Sequence, residues 1–200
     1  KFMWSNYVQT WKTVPFGLFT KNTLQVALLA TIGTTLSACV VAFGFARIRF
    51  PGRNALFVLM LSTMMLPGIV TLIPGYILFR ELGWIDTLKP LWVPAFFGGG
   101  AFNVFLLRQF FMTIPLELDE ASRIDGASWW QVFWQVVLPL AGPATTTVAL
   151  FSFIGAWKDF MGPLIFINSL EKQMLELGLQ TFQTLYGTHW ELMMAGAVIV

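Results

Sequence analysis

The chain has 200 residues, 56% of them hydrophobic and 11% charged, with a formal net charge of +2. Soluble domains carry about 25% charged residues, so the composition excludes an ordinary soluble enzyme and points to a membrane protein. The small charge excess, with no run of Lys and Arg, excludes a nucleic-acid binder.

Spacing between charges predicts the elements in chain order. Residues 1–21 lack the basic-then-apolar start of a signal peptide. Residues 22–46, 54–79, 90–107 and 126–157 contain no Asp, Glu, Lys or Arg. About 20 apolar residues cross the hydrocarbon as a helix, so spans are predicted near 22–46, 54–79 and 90–108. The last of these is short and borrows Arg108, whose long side chain can snorkel. The fourth stretch is too long for one crossing and holds Pro139, Gly142 and Pro143. It divides into an interfacial helix near 129–138 and a span near 140–157. A fifth span, 192–200, starts after Glu191. Cys39 is the one cysteine; it forms no intrachain disulfide and reads as a small buried hydrophobe. The fold class is therefore all-α: a polytopic transmembrane helical bundle, read as one transmembrane domain over 1–200.

Alternate crossings place Arg47, Arg49, Arg53 and the 108–134 segment on one side. Residues 1–21, 80–89 and 158–190 fall on the other. The first side holds the densest cationic cluster, three Arg in seven residues, and is cytoplasmic by the positive-inside rule. Total cations, five against seven, are less decisive. This topology leaves residues 1–21 as an external tail with nothing to carry them across. It implies a piece of a longer protein, lacking one earlier span and the end of the last.

The loop 113–138 has its own structure. Pro115 suits the first helical position, where its missing N–H is harmless. Glu117, Asp119 and Glu120 load the first turn, where the helix dipole favours negative charge. Leu118, Ala121 and Ile124 share a face. Asp125-Gly126 reads as a stop, because Gly accepts the left-handed conformation that ends helices. Ser128 and Gln131 have capping-box spacing, and Trp129, Trp130, Phe133 and Trp134 suit a membrane–water interface. The unit is a helix, a glycine turn and a second helix, standing off the membrane.

The spacing Glu120-Ala121-Ser122, Gly126, Val136, Leu138-Pro139 resembles the E-A-A-x3-G-x9-I-x-L-P loop of ABC importer permeases, the MetI-like inner-membrane components of binding-protein-dependent transport. Ser122 stands for the second Ala and Val136 for Ile. The rest of the chain is similar too. Phe45-Ala46-Arg47 with Phe50-Pro51-Gly52-Arg53 looks like a turn between early spans. Leu66-Pro67-Gly68 with Ile73-Pro74 resembles the family's proline-broken span. Ile124-Asp125-Gly126-Ala127 resembles the carbohydrate branch, the maltose-type permeases. Trp157, Asp159 and Phe160 match its W-N-D-F element, with Lys158 for Asn; Lys158 is expected to pair with Asp159. Trp190 with Ala195-Gly196 resembles the start of the last span.

The resemblance implies a permease subunit, not an enzyme, in a prokaryotic cell (inner) membrane. Its coupling residues would be Glu120, Ala121, Ser122, Asp125, Gly126, Ala127, Leu138 and Pro139, docked on an ABC ATPase dimer. The other implied partners are a second permease subunit, an extracytoplasmic solute-binding protein, a carbohydrate and membrane lipid. No G-x-x-x-x-G-K-[ST] motif is present, so ATP and its magnesium belong to the partner chains and this chain needs no cofactor. No metal site is expected. The first three spans hold no charge, which argues against an ion-coupled carrier.

Pro67, Gly68, Pro74 and Gly75 mark one span as a pore-lining gate or as a packing kink. Gly98, Gly99 and Gly100 suit close helix approach. His189 reads as a loop residue, and the nine Trp as interfacial anchors rather than sugar platforms. Two rival readings stay open. One is an importer of an amino acid, peptide, phosphate or polyamine; the other is a passive channel or scaffold.

Overall fold

The computed structural model describes residues 4–5, 7, 15–184 and 190–199. The described residues are helical with loops and contain no strand. Residues 1–3, 6 and 8–14 of the predicted tail lie outside them, as does His189, while residues 16–21 belong to the helix Phe16–Arg47, which starts before the predicted boundary at 22.

Eleven helices are used below. They are α1 (Phe16–Arg47), α2 (Arg53–Ser62), α3 (Leu72–Glu81), α4 (Lys89–Trp92), α5 (Ala101–Thr113), α6 (Leu116–Ile124), α7 (Trp129–Leu140), α8 (Gly142–Trp157), α9 (Met161–Phe166), α10 (Leu175–Thr184) and α11 (Trp190–Ile199). Of these, α1 is long and apolar enough to cross a membrane, as is the run Lys89–Thr113. The pairs Arg53–Met65 with Gly68–Glu81 and Trp129–Leu140 with Gly142–Trp157 each qualify if one bent pair is one span.

Two predicted spans and the predicted interfacial helix differ from unbroken α-helices. The 54–79 stretch breaks at Leu66 and Pro67, which are extended (ψ 120° and 134°). Proline disfavours the helical conformation in the residue before it and has no N–H to continue the ladder. A 3₁₀ turn, Gly68–Thr71, then leads into α3. Pro74 and Gly75 do not interrupt the chain: Pro74 sits in the first turn of α3, where its missing donor has no role.

The 90–108 stretch breaks at Gly98–Gly100, all with positive φ, so its longest helix, α5, has 13 residues. In α7, residues Phe133–Val137 form a π turn. Pro139 offers no N–H to the carbonyl of Gln135, and the wider turn falls at that missing bond.

Contacts divide the chain into two compact units. One comprises Ala30–Leu72 and Val93–Phe153. Its core joins Ala38, Cys39, Ala42 and Phe43 of α1 with Val104, Leu107 and Phe111 of α5, Val132, Phe133 and Val137 of α7, and Val148 of α8. Cys39 is packed there as a small apolar group. Small residues on α1 admit the broken segment. A Cβ on Gly33 would meet the Phe96 ring at 2.5 Å, and one on Gly99 would meet Ala38 Cβ at 2.5 Å and the Thr34 carbonyl oxygen at 2.6 Å. Ser37 Oγ donates to the Ala95 carbonyl at 2.9 Å.

The other unit comprises residues up to Leu29, Ile73–Trp92 and the chain from Ile154. Phe16, Phe19 and Leu175 form its core, flanked by Trp157 and Leu179. Asn22 Nδ2 donates to the carbonyls of Glu171 and Gln173, and Thr23 Oγ1 accepts from Leu175 N.

Candidate functional site

The loop identified by its spacing folds as expected in outline. Pro115 is the N-cap of α6 (φ −55°, ψ 134°), one residue before its predicted position. Glu117 and Asp119 occupy the first turn. At the C-terminus Gly126 has φ 88°. Gly126 N donates to Arg123 O at 3.1 Å and Ala127 N to Ser122 O at 2.9 Å, the double bond pattern of a glycine-terminated helix. Ser128 then caps α7: its Oγ accepts from Gln131 N, and Gln131 Oε1 accepts from Ser128 N at 2.7 Å. Arg123 Nη1 donates to the Ala127 carbonyl at 2.8 Å, and its guanidinium lies 5.2 Å from the centre of the Trp129 ring.

Most candidate residues here face outward. Glu120, Ala121, Asp125, Gly126 and Pro139 are exposed, Ser122 and Ala127 are half-buried, and Leu138 packs on the core. Ser122 Oγ donates to the Leu118 carbonyl within the same helix at 2.8 Å, so serine in place of alanine is satisfied locally. Leu116, Leu118 and Ile124 are also exposed, Ile124 at 86%. On an otherwise acidic helix these exposed apolar side chains, spread over more than one side because residues two apart point opposite ways, leave α6 open to a partner.

Spacing did not reveal what holds the helix in place. Asp119 is buried, and its Oδ2 lies 2.9 Å from Arg47 Nε, with the two side chains 5% and 2% exposed. Arg47 Nη2 donates to the Ile114 carbonyl at 2.8 Å. The pair is a close ionic contact rather than an aligned hydrogen bond; Arg47 Nε and both Asp119 oxygens lack an aligned partner. Burial pushes the Asp119 carboxyl above the ordinary aspartate range. The Arg47 charge pulls it down, and neighbouring Glu120 adds a further upward push. The last residue of α1 thus grips the first turn of α6 across 72 positions. The signal available in sequence was an Arg closing a long charge-free run.

Elsewhere, Pro67 and Gly68 lie at the break before α3, and Pro74 and Gly75 inside it. The apolar residues around the break, Met65, Leu66, Ile69, Val70 and Ile73, are exposed. Lys158 forms no ion pair with Asp159 among the described residues; Asp159 Oδ1 accepts instead from Gly162 N at 3.0 Å at the start of α9.

A second polar centre was also missed. Asp86 adopts a left-handed conformation (φ 58°). Its carboxylate accepts from Asn168 N, Ser169 N and Ser169 Oγ, and lies 3.0 Å from Lys172 Nζ. Those bonds, led by the one from the Ser169 hydroxyl, hold its carboxyl well below the usual range. No group of three or more His, Cys, Asp or Glu suited to a metal occurs among the described residues.

Residues 33–200 match the family described as the binding-protein-dependent transport system inner membrane component. This chain belongs to that family. It is 30% identical to an arabinooligosaccharides transport system permease protein of Halalkalibacterium halodurans, over 89% of this chain and 63% of that protein. It is 31% identical to an sn-glycerol-3-phosphate transport system permease protein of Yersinia pestis, over 98% of this chain and 72% of that protein. Its fold matches a chain of a bacterial ABC transporter involved in import of the acidic polysaccharide alginate, with a TM-score of 0.84 and 25% identity, over 98% of this chain and 72% of the other. The chain is thus a membrane component of a transport system rather than an enzyme, with the helical permease fold, and it spans under two thirds of the first of these relatives.

Proposed function

We propose that this chain is one permease subunit of an ATP-driven importer of a sugar or oligosaccharide, and that α6 is the surface through which an ATPase subunit moves it. The observation that carries the reading is a short exposed helix with outward Leu116, Leu118 and Ile124, anchored to the end of α1 by the buried Arg47–Asp119 pair. Exposed apolar side chains invite a partner, and a buried anchor lets a push on α6 reach the membrane helix. Two relatives are named for carbohydrates, arabinooligosaccharides and alginate, which favours this cargo. The working machine contains two ATPase subunits that hold ATP and magnesium, a second permease chain and an extracytoplasmic binding protein. α6 faces the cytoplasm of a prokaryotic cell, and Pro67 and Gly68 bend a pore-lining span.

The glycerol-3-phosphate relative supports a second cargo, a phosphorylated polyol; the ligand bound by the partner binding protein separates the two.

The test is co-purification and vesicle uptake. Leu116→Glu with Ile124→Glu should leave the permease in the membrane while the ATPase subunits are lost from the purified complex. Full ATPase recovery with the double variant refutes the docking role of α6, and uptake that proceeds without ATP refutes the importer in favour of a channel.

A further inference from the structure

Arg49 and Arg53 flank the turn between α1 and α2, and neither side chain has an ion pair or hydrogen bond among the described residues. Arg53 also lies within electrostatic reach of Arg108. Arginines left without a carboxylate partner attract an anion.

The two arginines line a cavity of about 910 Å³ between the turn and α6, together with Arg47, Arg123, Asp119 and Glu120, and its α6 wall includes Leu116 and Ile124 of the proposed docking helix. Arg47 neutralises Asp119. Arg123 is fixed by Ala127 and Trp129 on the opposite wall. The lining keeps an excess of positive charge.

A second cavity, of about 180 Å³, is lined by Phe43, Gly44, Trp130 and Phe133 and is almost wholly apolar. Ile48 and Trp129 line both cavities. A cationic basin and an aromatic slot therefore adjoin at Ile48 and Trp129, both within one compact unit. Inorganic phosphate would fill only the basin, and a detergent-like neutral molecule only the slot.

We infer that the paired cavities hold one anionic phospholipid, with its headgroup phosphate at Arg49 and Arg53 and only the first part of an acyl chain between Phe43, Trp130 and Phe133. Basic pockets between helices on the cytoplasmic side suit such headgroups, and Trp residues favour the same depth. Gly44 borders the open space of the slot, where a Cβ would meet nothing within 4 Å. The site rests on the membrane placement proposed above and concerns a lipid, not the transported solute.

The test uses the full-length permease purified with its ATPase subunits, incubated with equimolar phosphatidylglycerol and phosphatidylcholine, with retained lipid quantified by native mass spectrometry. The natural protein should prefer phosphatidylglycerol by about thirtyfold, at about 1 kcal/mol for each of two arginines. Arg49→Gln with Arg53→Gln should abolish the preference, and Arg49→Lys with Arg53→Lys should keep it. Gly44→Leu, which fills the slot, should reduce retention of both lipids. Equal retention by the natural protein, an unchanged preference in the glutamine variant, or displacement of the lipid by inorganic phosphate alone overturns the inference. ATPase recovery in the same preparations reports separately on the importer reading.

Discussion

At the scale of single residues, Asp119 is the group whose environment departs furthest from what its position suggested. An acid in the first turn of an exposed helix reads as solvated, yet this one is inside and tied to Arg47. Its folded-state value lies above its unfolded value, so the native protein takes up the proton first as pH falls. The stability this group contributes is full below the unfolded value and is lost as pH rises through the folded one. Arg47→Met removes the one downward pull and pushes the carboxyl higher still. We expect that variant to lose about 3–5 kcal/mol at about pH 8, with a smaller loss at about pH 5, because a buried carboxylate without its cation is costly. Thermal unfolding in detergent across that range measures it; a loss independent of pH would show that Asp119 does not carry the effect. Asp86 gives a second residue-scale prediction. Asp86→Asn keeps tolerance of the left-handed backbone and loses the negative charge; Asp86→Ala loses both. Amide exchange at Asn168 and Ser169 should accelerate in both variants, and more in the alanine variant. Unchanged protection in Asp86→Ala would show that the Asp86 carboxylate does not hold the 168–169 backbone.

At the scale of elements, glycines decide where helices stop, and their contexts differ. A Cβ on Gly126 meets nothing within 4 Å, so Gly126→Leu harms the turn through its φ of 88° and not through a clash. It should weaken substrate-stimulated ATP hydrolysis, and Gly126→Asn, which tolerates that φ, should restore most of it; equal loss in both would point to something other than backbone conformation. Gly99 combines positive φ with backbone contact at 2.6 Å. Gly99→Ala should cost about 2–4 kcal/mol, from strain plus forced separation of packed segments. Gly98 has open space around it, and Gly98→Ala should cost measurably less in the same melting experiment. The helix–glycine–helix unit of the loop was legible because its signals are local: the stop at Gly126 and the Ser128–Gln131 box lie within a few residues of the groups they satisfy. The broken spans were less so. Gly98–Gly100 read as a packing device and do pack, but their positive φ also divides the helix, and a charge-free run cannot distinguish these outcomes. Pro67 and Pro74 looked alike in sequence; position within the helix, known only once the first turn is placed, makes one a break and the other harmless.

At the scale of the whole molecule, the family was readable because its signature is short and sits between long apolar runs. The contacts that organise each unit were not, because Arg47–Asp119 and Asp86–Ser169 join residues 72 and 83 positions apart and leave no periodic trace. Together these features make uptake into vesicles the measurement of the whole: accumulation should require ATP and the ATPase subunits, and should stop in the Leu116→Glu, Ile124→Glu variant while the protein remains inserted. One consequence follows from the 32 residues of α1. At 1.5 Å each they reach about 48 Å, and even a steep lean of about 40° uses only about 39 Å to traverse a hydrocarbon layer of about 30 Å. Some six residues must emerge, and Lys21, the first charge met from the amino-terminal end, marks where. Phe16 and Phe19 then stand clear of the oily interior, so the contacts they make with Leu175 are sealed from water by protein alone, and that corner of the molecule should keep its shape whatever lipid or detergent surrounds the rest.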